Sequence, residues 1–434
     1  MNVRKLALET LSKCESAAQY SNLALDARIK KFNITGDDRS LFTVLVYGTI
    51  EHKLTLDYYI DKLSSIPKEK IEPSTRNILR LGLYQIMFMR TADHAAVNET
   101  VALAPQRSRG FVNAILRNYL RKKDSITLPD KGKDPAEHLS VAYSIPSETC
   151  ERFISYLGVD QAEKLLAAMN ENPKLTLRVN TLKISRDELL EKLEKSGIKA
   201  KPTEISPFGI KLEDNIPYSE LESLCKGEFF IQDEASQIST AALDATSGMR
   251  TVDMCSCPGS KSFGAALTMK NEGEILAFDL SKSKLPLISS GAERLGIGII
   301  SAEAHDGRDF IPELENTADR IICDVPCSGF GVIAKKPEIR YKDINGASSL
   351  PEIQYGILCC AARYLKKGGV MVYSTCTILP EENEMIIKRF LGEHPDFEAV
   401  PLNIGRLSAE SGMITLLPHI HGTDGFFICK LTKR

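Results

Sequence analysis

The chain has 434 residues, 43% of them hydrophobic and 26% charged, with a formal net charge of −2. That is globular composition at a length that calls for two or three domains, each able to bury a core without disulfide staples. The longest apolar stretch, Leu81 to Met89, is far short of a bilayer span, and MNVRKLALETLSKCES at the N-terminus has no apolar block of the kind a signal peptide carries. Eleven cysteines, scattered without CxxC pairs, fit a reducing compartment better than a disulfide framework. The expectation is a soluble cytoplasmic protein, monomeric, with no membrane segment and no metal.

The small net charge hides an asymmetry. Residues 1–133 hold 22 Lys and Arg against 14 Asp and Glu, which leaves 33 against 43 for the remainder. A basic N-terminal third on an acidic body points to one part that meets a polyanion, or to a chance skew between domains. Residues 1–123 read as all helix: Ile78, Leu79, Leu83, Ile86 and Met87 recur at helical spacing, as do Phe111, Val112, Ile115, Leu116, Tyr119 and Leu120. The other face of that last helix carries Arg117, Arg121, Lys122 and Lys123, with Arg107 and Arg109 just upstream. Such a face either neutralises phosphates or is simply solvated.

Residues 122–135 (KKDSITLPDKGKDP) are polar and aperiodic and read as a linker or exposed loop. A small α+β region follows, with a helix around 147–169, a strand in LTLRVNT (175–181), a helix over 185–197 ending at Gly197, and short strands to about 231. From about residue 250 the pattern becomes short apolar runs alternating with helices: TVDMC (251–255), EILAFDL (274–280), GIISAEA (298–304), ADRIICDV (318–325) and GGVMVYST (368–375). Strands alternating with helices predict βαβ units and a doubly wound parallel sheet, whose ligands bind beyond the carboxyl ends of the strands.

Those loops hold the chemistry-bearing residues. The first strand runs into Asp253-Met-Cys255-Ser256-Cys257-Pro258-Gly259-Ser260-Lys261 and then a helix, so backbone N–H groups at a glycine turn can approach a ligand. The sequence is neither GxGxxG nor a Walker A loop. Asp279 closes the second strand, where an acidic residue commonly accepts from ribose hydroxyls, and Asp306 follows the third. Together these features point to a nucleoside-containing cofactor. The fourth strand leads to Asp324-Val-Pro-Cys327 and the fifth to Ser374-Thr375-Cys376-Thr377, which brings two cysteines towards one cleft. Cys323, Cys359 and Cys360 lie within apolar runs and read as small buried hydrophobes. Cys327 and Cys376 sit in polar loops, and no His/Cys set with zinc spacing accompanies them.

Two thiols beside a carboxylate suit one kind of reaction. A thiolate adding to an aromatic pyrimidine breaks its aromaticity and makes the far carbon nucleophilic towards an activated methyl group. A partner at the ring nitrogen, here Asp324, absorbs developing charge, and a second group, here Cys327, helps release the product. The base has to be unstacked or flipped into such a cleft.

At this point a resemblance is specific. DMCSCPGSK (253–261), AFDLSKSKL (277–285), DVPCSGFGV (324–332), YSTCTILPEENE (373–384), TDGFFICKL (423–431) and GEFFIQDEAS (227–236) resemble the S-adenosylmethionine-dependent RNA cytosine-C5 methyltransferases of the Sun type. NILRLGLYQIMFM (77–89), AAVNETVALA (95–104) and GFVNAILRNYLR (110–121) resemble a NusB-like RNA-binding domain. The pairing resembles that of the bacterial enzymes acting on small-subunit (16S) ribosomal RNA. It implies an all-α NusB-like domain over 1–125, a small α+β domain over 140–230 and a Rossmann-like class I methyltransferase domain over 231–434. It also implies S-adenosyl-L-methionine as cofactor, ribosomal RNA as partner, and contacts to the basic residues 107–123. Carried across, the cofactor loop falls on Cys255 to Lys261 and the acidic cofactor contacts on Asp279, Asp306 and Asp324. The nucleophile falls on Cys376 and the cysteine assisting release on Cys327. The family loop mostly reads C-A-A-P-G-G-K, so Ser256, Cys257 and Ser260 depart from it. Were Ser260 to need φ > 0, its Cβ would cost about 1 kcal/mol. Three alternatives stay open here: exchanged cysteine roles, as in DNA cytosine-C5 methyltransferases; another RNA substrate, transfer RNA or 23S ribosomal RNA; and an RNA-binding factor whose methyltransferase half has decayed.

Overall fold

The computed structural model describes residues 2–17, 21–214, 216–346 and 348–434. It forms two compact units: Met1–Glu171 with Ile333–Ile344, and Asn172–Val332 with Asn345–Arg434.

The first unit is helical, with α1 (Val3–Ala17), α2 (Ser21–Phe32), α3 (Gly36–Glu51), α4 (Lys53–Leu63), α5 (Pro73–Phe88), α6 (Asp93–Leu103), α7 (Gln106–Lys122), α8 (Pro135–Tyr143), α9 (Ser147–Leu157) and α10 (Val159–Met169). Leu45, Leu56, Leu79, Leu83, Val112 and Leu116 meet in its core. In α7 the 3.6-residue period sends Val112, Ile115, Leu116 and Tyr119 inward and Arg117, Arg121 and Lys122 to solvent. The single helix expected over 147–169 is two, parted at Gly158, whose φ of +78° a residue with a Cβ would resist. Residues 140–171, assigned from sequence to the small middle domain, fall in this unit. Thr55 in α4 donates to the Val141 carbonyl at 2.6 Å, and Ser144 Oγ accepts from the Leu54 N–H at 2.9 Å. A short segment from far along the chain completes the unit. Arg340, 1% exposed, donates to the Glu51 carbonyl at 2.7 Å and to Asn170 Oδ1 at 3.1 Å, while Tyr341 donates to the Ile50 carbonyl at 2.6 Å.

The second unit begins with a small antiparallel sheet of β1 (Thr176–Val179), β2 (Ala200–Pro202), β3 (Gly209–Leu212) and β4 (Phe229–Ile231), ordered β2-β3-β1-β4. It is covered by α11 (Arg186–Lys195), started by a Ser185–Glu188 capping box, and α12 (Tyr218–Leu224). The larger sheet follows: α13 (Glu234–Ala241), β5 (Arg250–Asp253), α14 (Ser260–Thr268), β6 (Glu274–Asp279), α15 (Leu285–Leu295), β7 (Ile300–Ala304), β8 (Ala318–Asp324), α16 (Leu350–Tyr364), β9 (Leu365–Thr375) and α17 (Glu384–Glu393). It ends with β10 (Phe397–Ala399), β11 (Leu402–Ile404), β12 (Leu407–Ala409), β13 (Met413–Leu416), α18 (Pro418–His421) and β14 (Phe426–Lys433). The order is β10-β14-β9-β8-β5-β6-β7, with β13 also on β14 and with β11 and β12 paired separately.

The five apolar runs of the sequence are β5 to β9, and they run parallel. The sheet is nevertheless mixed, because the tail returns as β14 antiparallel to β9. Apolar residues of α13, α14 and α15 cover one face, and those of α16 and α17 the other, which is the doubly wound arrangement. Among the described residues no helix is long and apolar enough to cross a membrane.

Backbone bonds tie the end of β9 to two glycines. The Gly331 N–H donates to the Cys376 carbonyl and the Gly425 N–H to the Gly331 carbonyl, each at 2.9 Å. A Cβ on Gly331 would lie 1.8 Å from the Gly425 carbonyl oxygen, closer than any side-chain atom can sit. Gly331→Ala is therefore expected to cost about 3 kcal/mol, read as a fall in the urea midpoint, because the obstructing atom is backbone and cannot swing aside.

Candidate active site

Parallel pairing puts the carboxyl ends of β5, β6 and β8 side by side, and with them Asp253, Asp279 and Asp324. The loop after β5 turns at Gly259, which has φ +105° and whose Cβ would strike the Phe263 ring at 2.6 Å. The left-handed position is thus held by the glycine that the sequence keeps. Ser260 is the first residue of α14 and has no positive φ, so the cost expected for it does not arise. Ser256 is buried, with its Oγ 2.9 Å from Ser262 Oγ, and Ser262 donates to Asp253 Oδ2 at 2.6 Å. The Cys257 N–H donates to Asp279 Oδ2 at 3.1 Å, and the Ser281 N–H to Asp279 Oδ1 at 2.9 Å.

Carboxylates converge on this loop. Burial, and then Asp253, Asp324, Asp279 and Asp306, push the Cys255 thiol up, so it stays neutral. Asp253 is fully buried, which raises its carboxyl to about 6 despite the Ser262 hydrogen bond. Lys261 is the counter-charge: its ammonium lies 2.6 Å from Asp324 Oδ2. Asp324 Oδ1 accepts from Ser374 at 2.8 Å, the residue that β8–β9 register sets opposite it. Asp306 lies just past β7, and bonds from Arg308 at 3.0 and 2.6 Å hold its carboxyl down at about 2.

The two cysteines meet. Cys327 Sγ and Cys376 Sγ are 3.2 Å apart, although 49 residues separate them in the chain. Their contact, followed by burial, pushes the Cys327 thiol well above its usual range. Cys323 and Cys360 are buried, as their apolar runs imply, and Cys359 is half-buried. Among the described residues no group of three or more His, Cys, Asp and Glu side chains could hold a metal ion. Ser262, Ser374 and Arg308 were not singled out from sequence. A serine in α14, a serine at the end of β9 and an arginine in a loop carry no signal until the fold supplies their partners.

In the helical unit Arg107, Arg109, Arg117, Arg121, Lys122 and Lys123 are all exposed. Arg107 pairs with Glu72 at 2.9 Å, Arg109 donates to the Ala104 carbonyl, and Arg117 and Arg121 donate to Asn113 and Asn118. Among the described residues no carboxylate forms an ion pair with Arg109, Arg117, Arg121, Lys122 or Lys123.

A doubly wound sheet with a glycine-turned loop after its first strand, and acidic residues closing its neighbours, is a Rossmann-like domain. Comparisons with known proteins make it a methyltransferase domain. Residues 240–432 match the family model "16S rRNA methyltransferase RsmB/F", residues 1–121 the NusB family and residues 146–219 an RsmF/B-like ferredoxin-like domain. A relative from Bacillus subtilis (strain 168), named "Probable ribosomal RNA small subunit methyltransferase B", is 39% identical over 447 residues, spanning 100% of this chain and 99% of its own length. The crystal structure of PH0851 superposes with a TM-score of 0.80 at 28% identity, covering 100% of this chain and 98% of that one. NSun6 from Pyrococcus horikoshii, solved with SFG, gives 0.59 at 25% identity over 66% of this chain and 98% of its own. The chain belongs to the 16S rRNA methyltransferase RsmB/F family.

Asp253 yields a pH prediction. Its acid is held neutral up to about pH 6 in the fold, against about 4 in the unfolded chain, so its contribution is complete below pH 4 and lost as pH rises through 6. The unfolding free energy from urea titrations between pH 4 and 7 should fall with rising pH by on the order of 2–3 kcal/mol from this group. Asp253→Asn, which keeps an acceptor for Ser262, should flatten that decline.

Proposed function

We propose that the protein methylates C5 of a cytosine in 16S ribosomal RNA, with S-adenosylmethionine as methyl donor and Cys376 as nucleophile. The observation that carries this is the 3.2 Å approach of Cys327 and Cys376 beside Asp324. The residues fit the cofactor. The Gly259 turn leaves the first-turn N–H groups of α14 at the strand ends, Asp279 closes β6, and the clustered carboxylates favour a cationic ligand. A relative of similar fold holds an analogue of that cofactor, SFG. Residues Cys255 to Lys261, Asp279, Asp306 and Asp324 would hold it, and when bound it supplies an electrophilic methyl group on a sulfonium.

The rest is done by this chain. Cys376 gives its thiol proton to Asp324 and its Sγ bonds to C6; the C5=C6 electron pair shifts through C4 to N3, which takes that proton from Asp324, and the enamine so formed makes C5 the nucleophile that takes the methyl group. Asp324 faces the ring nitrogen, and Lys261 offsets the charge that gathers there. Release needs the C5 proton removed and the C6–S bond broken, its electron pair returning to Cys376. Cys327 is the base. Its sulfur lies 3.2 Å from that of Cys376, on the side of the ring where the adduct forms.

Methyl-labelled S-adenosylmethionine with unmodified small-subunit RNA should give labelled 5-methylcytosine with the wild type and none with Cys376→Ala. Cys327→Ala should give an RNA adduct that survives denaturant. Full activity of Cys376→Ala would overturn the assignment, and an adduct with Cys376→Ala instead would exchange the two roles.

The basic face of α7 is the RNA-binding surface in this reading. Residues 333–344 pack within the helical unit, so deleting the N-terminal helices would strip part of its core, and charge removal is the cleaner test. Replacing Arg117, Arg121, Lys122 and Lys123 with alanine should weaken binding and lower the slope of log K against log salt by about 3, at roughly 0.7 per single-strand phosphate. Fluorescence anisotropy across a salt series measures it.

A further inference from the structure

Both cysteines lie beyond the ends of their strands, where the sheet's ladder no longer fixes them. Buried side chains from one turn, Pro380–Glu382 and the residue after it, reach both loops. Glu382, 2% exposed, accepts from the Ser328 N–H at 2.9 Å, from the Ser328 hydroxyl, and from Gln354 Nε2 at 2.8 Å. Gln354, fully buried on α16, also donates to the Pro326 carbonyl at 3.0 Å. Pro326 and Ser328 are the two neighbours of Cys327. Asn383, fully buried, accepts from Thr375 Oγ1 at 2.6 Å and donates to the Thr377 carbonyl at 3.0 Å. Thr375 and Thr377 are the two neighbours of Cys376. Thr377 Oγ1 and Ser328 Oγ, 2.9 Å apart, join the two halves, and Tyr373 in β9 donates to the Glu382 carbonyl at 2.6 Å.

We infer that Glu382 and Asn383 are paired positioning residues that set the two sulfurs against each other: Glu382 holds Cys327 from both sides, and Asn383 holds Cys376 from both sides. A packing role would not require a buried carboxylate that binds Ser328 directly and reaches Pro326 through Gln354, nor consecutive residues dividing two loops between them. The division has a kinetic consequence, which rests on the proposed roles of the cysteines. Loosening Cys327 impairs removal of the C5 proton, after the methyl group has moved. Loosening Cys376 impairs formation of the C6–S bond, before it.

The test uses the full-length protein with small-subunit RNA and labelled cofactor, following first-turnover methyl transfer, multiple turnover and denaturant-resistant adduct together. Glu382→Gln puts an amide against the Ser328 N–H; it should raise the adduct fraction and slow multiple turnover by about tenfold, with a smaller effect on the first transfer. Asn383→Ala should slow the first transfer by about tenfold without adding adduct. Ser328→Ala, which removes only a hydroxyl, should show the Glu382→Gln pattern in milder form and serves if Glu382→Gln melts early. A variant set in which both residues lower transfer and adduct alike, or in which Glu382→Gln and Ser328→Ala release product at the wild-type rate, overturns the inference. Absence of 5-methylcytosine from the wild type, with no adduct from Cys327→Ala, is the separate outcome that defeats the functional reading itself.

Discussion

The parallel pairing of β8 with β9 is the constraint on which the rest depends. Its register sets Asp324 opposite Ser374, so both chains leave the sheet at one level and Cys327 and Cys376 emerge into the same space. A slip by one residue would turn every side chain to the other face of the sheet and separate the sulfurs. The pairing also explains the tail. With β9 flanked by β14, its end is anchored on both sides, and the Gly425–Gly331–Cys376 backbone bonds carry that order past the last ladder position.

Beyond the strand ends, order has to come from somewhere else, and here it comes from buried polar groups. Such groups are costly unless every one finds a partner, and when all do they fix a single arrangement. The Asn383–Thr375–Thr377 bonds and the donors gathered on the Glu382 carboxylate supply such partners around two loops that have no ladder of their own, with Gln354 Oε1 left as the one unpartnered atom among these side chains. At the other end of the site the problem is excess negative charge. Four carboxylates surround Cys255, and Lys261, Arg308 and the serine hydroxyls each answer part of it. The neutral acid at Asp253 is the part that burial leaves unanswered.

The chain's path joins this chemistry to the helical unit by covalent continuity. Seven residues separate Asp324 from Val332, and the next twelve, Ile333–Ile344, are part of the helical unit's own fold, with Arg340 satisfying backbone carbonyls there. Burial lowers the pKa of Arg340, as expected for a guanidinium met by carbonyls rather than by a carboxylate.

Local chemistry and periodicity made much of this legible in advance. The 3.6-residue spacing of α7 separated its core face from its basic face, the five apolar runs marked β5 to β9, and the strand-end positions of Asp279, Asp324, Cys327 and Cys376 identified the loops to read. The motif set placed the chain in its family. What the sequence could not supply were facts about pairing at a distance. The antiparallel return of β14, the division of residues 140–171 and 333–344 between units, and the left-handed φ falling on Gly259 rather than Ser260 each depend on the assembled backbone. The same holds for Glu382 and Asn383. They lie within the matching stretch YSTCTILPEENE, but only tertiary structure buries them against the two loops, because a side chain's distant partners are set by packing and not by its neighbours in the chain.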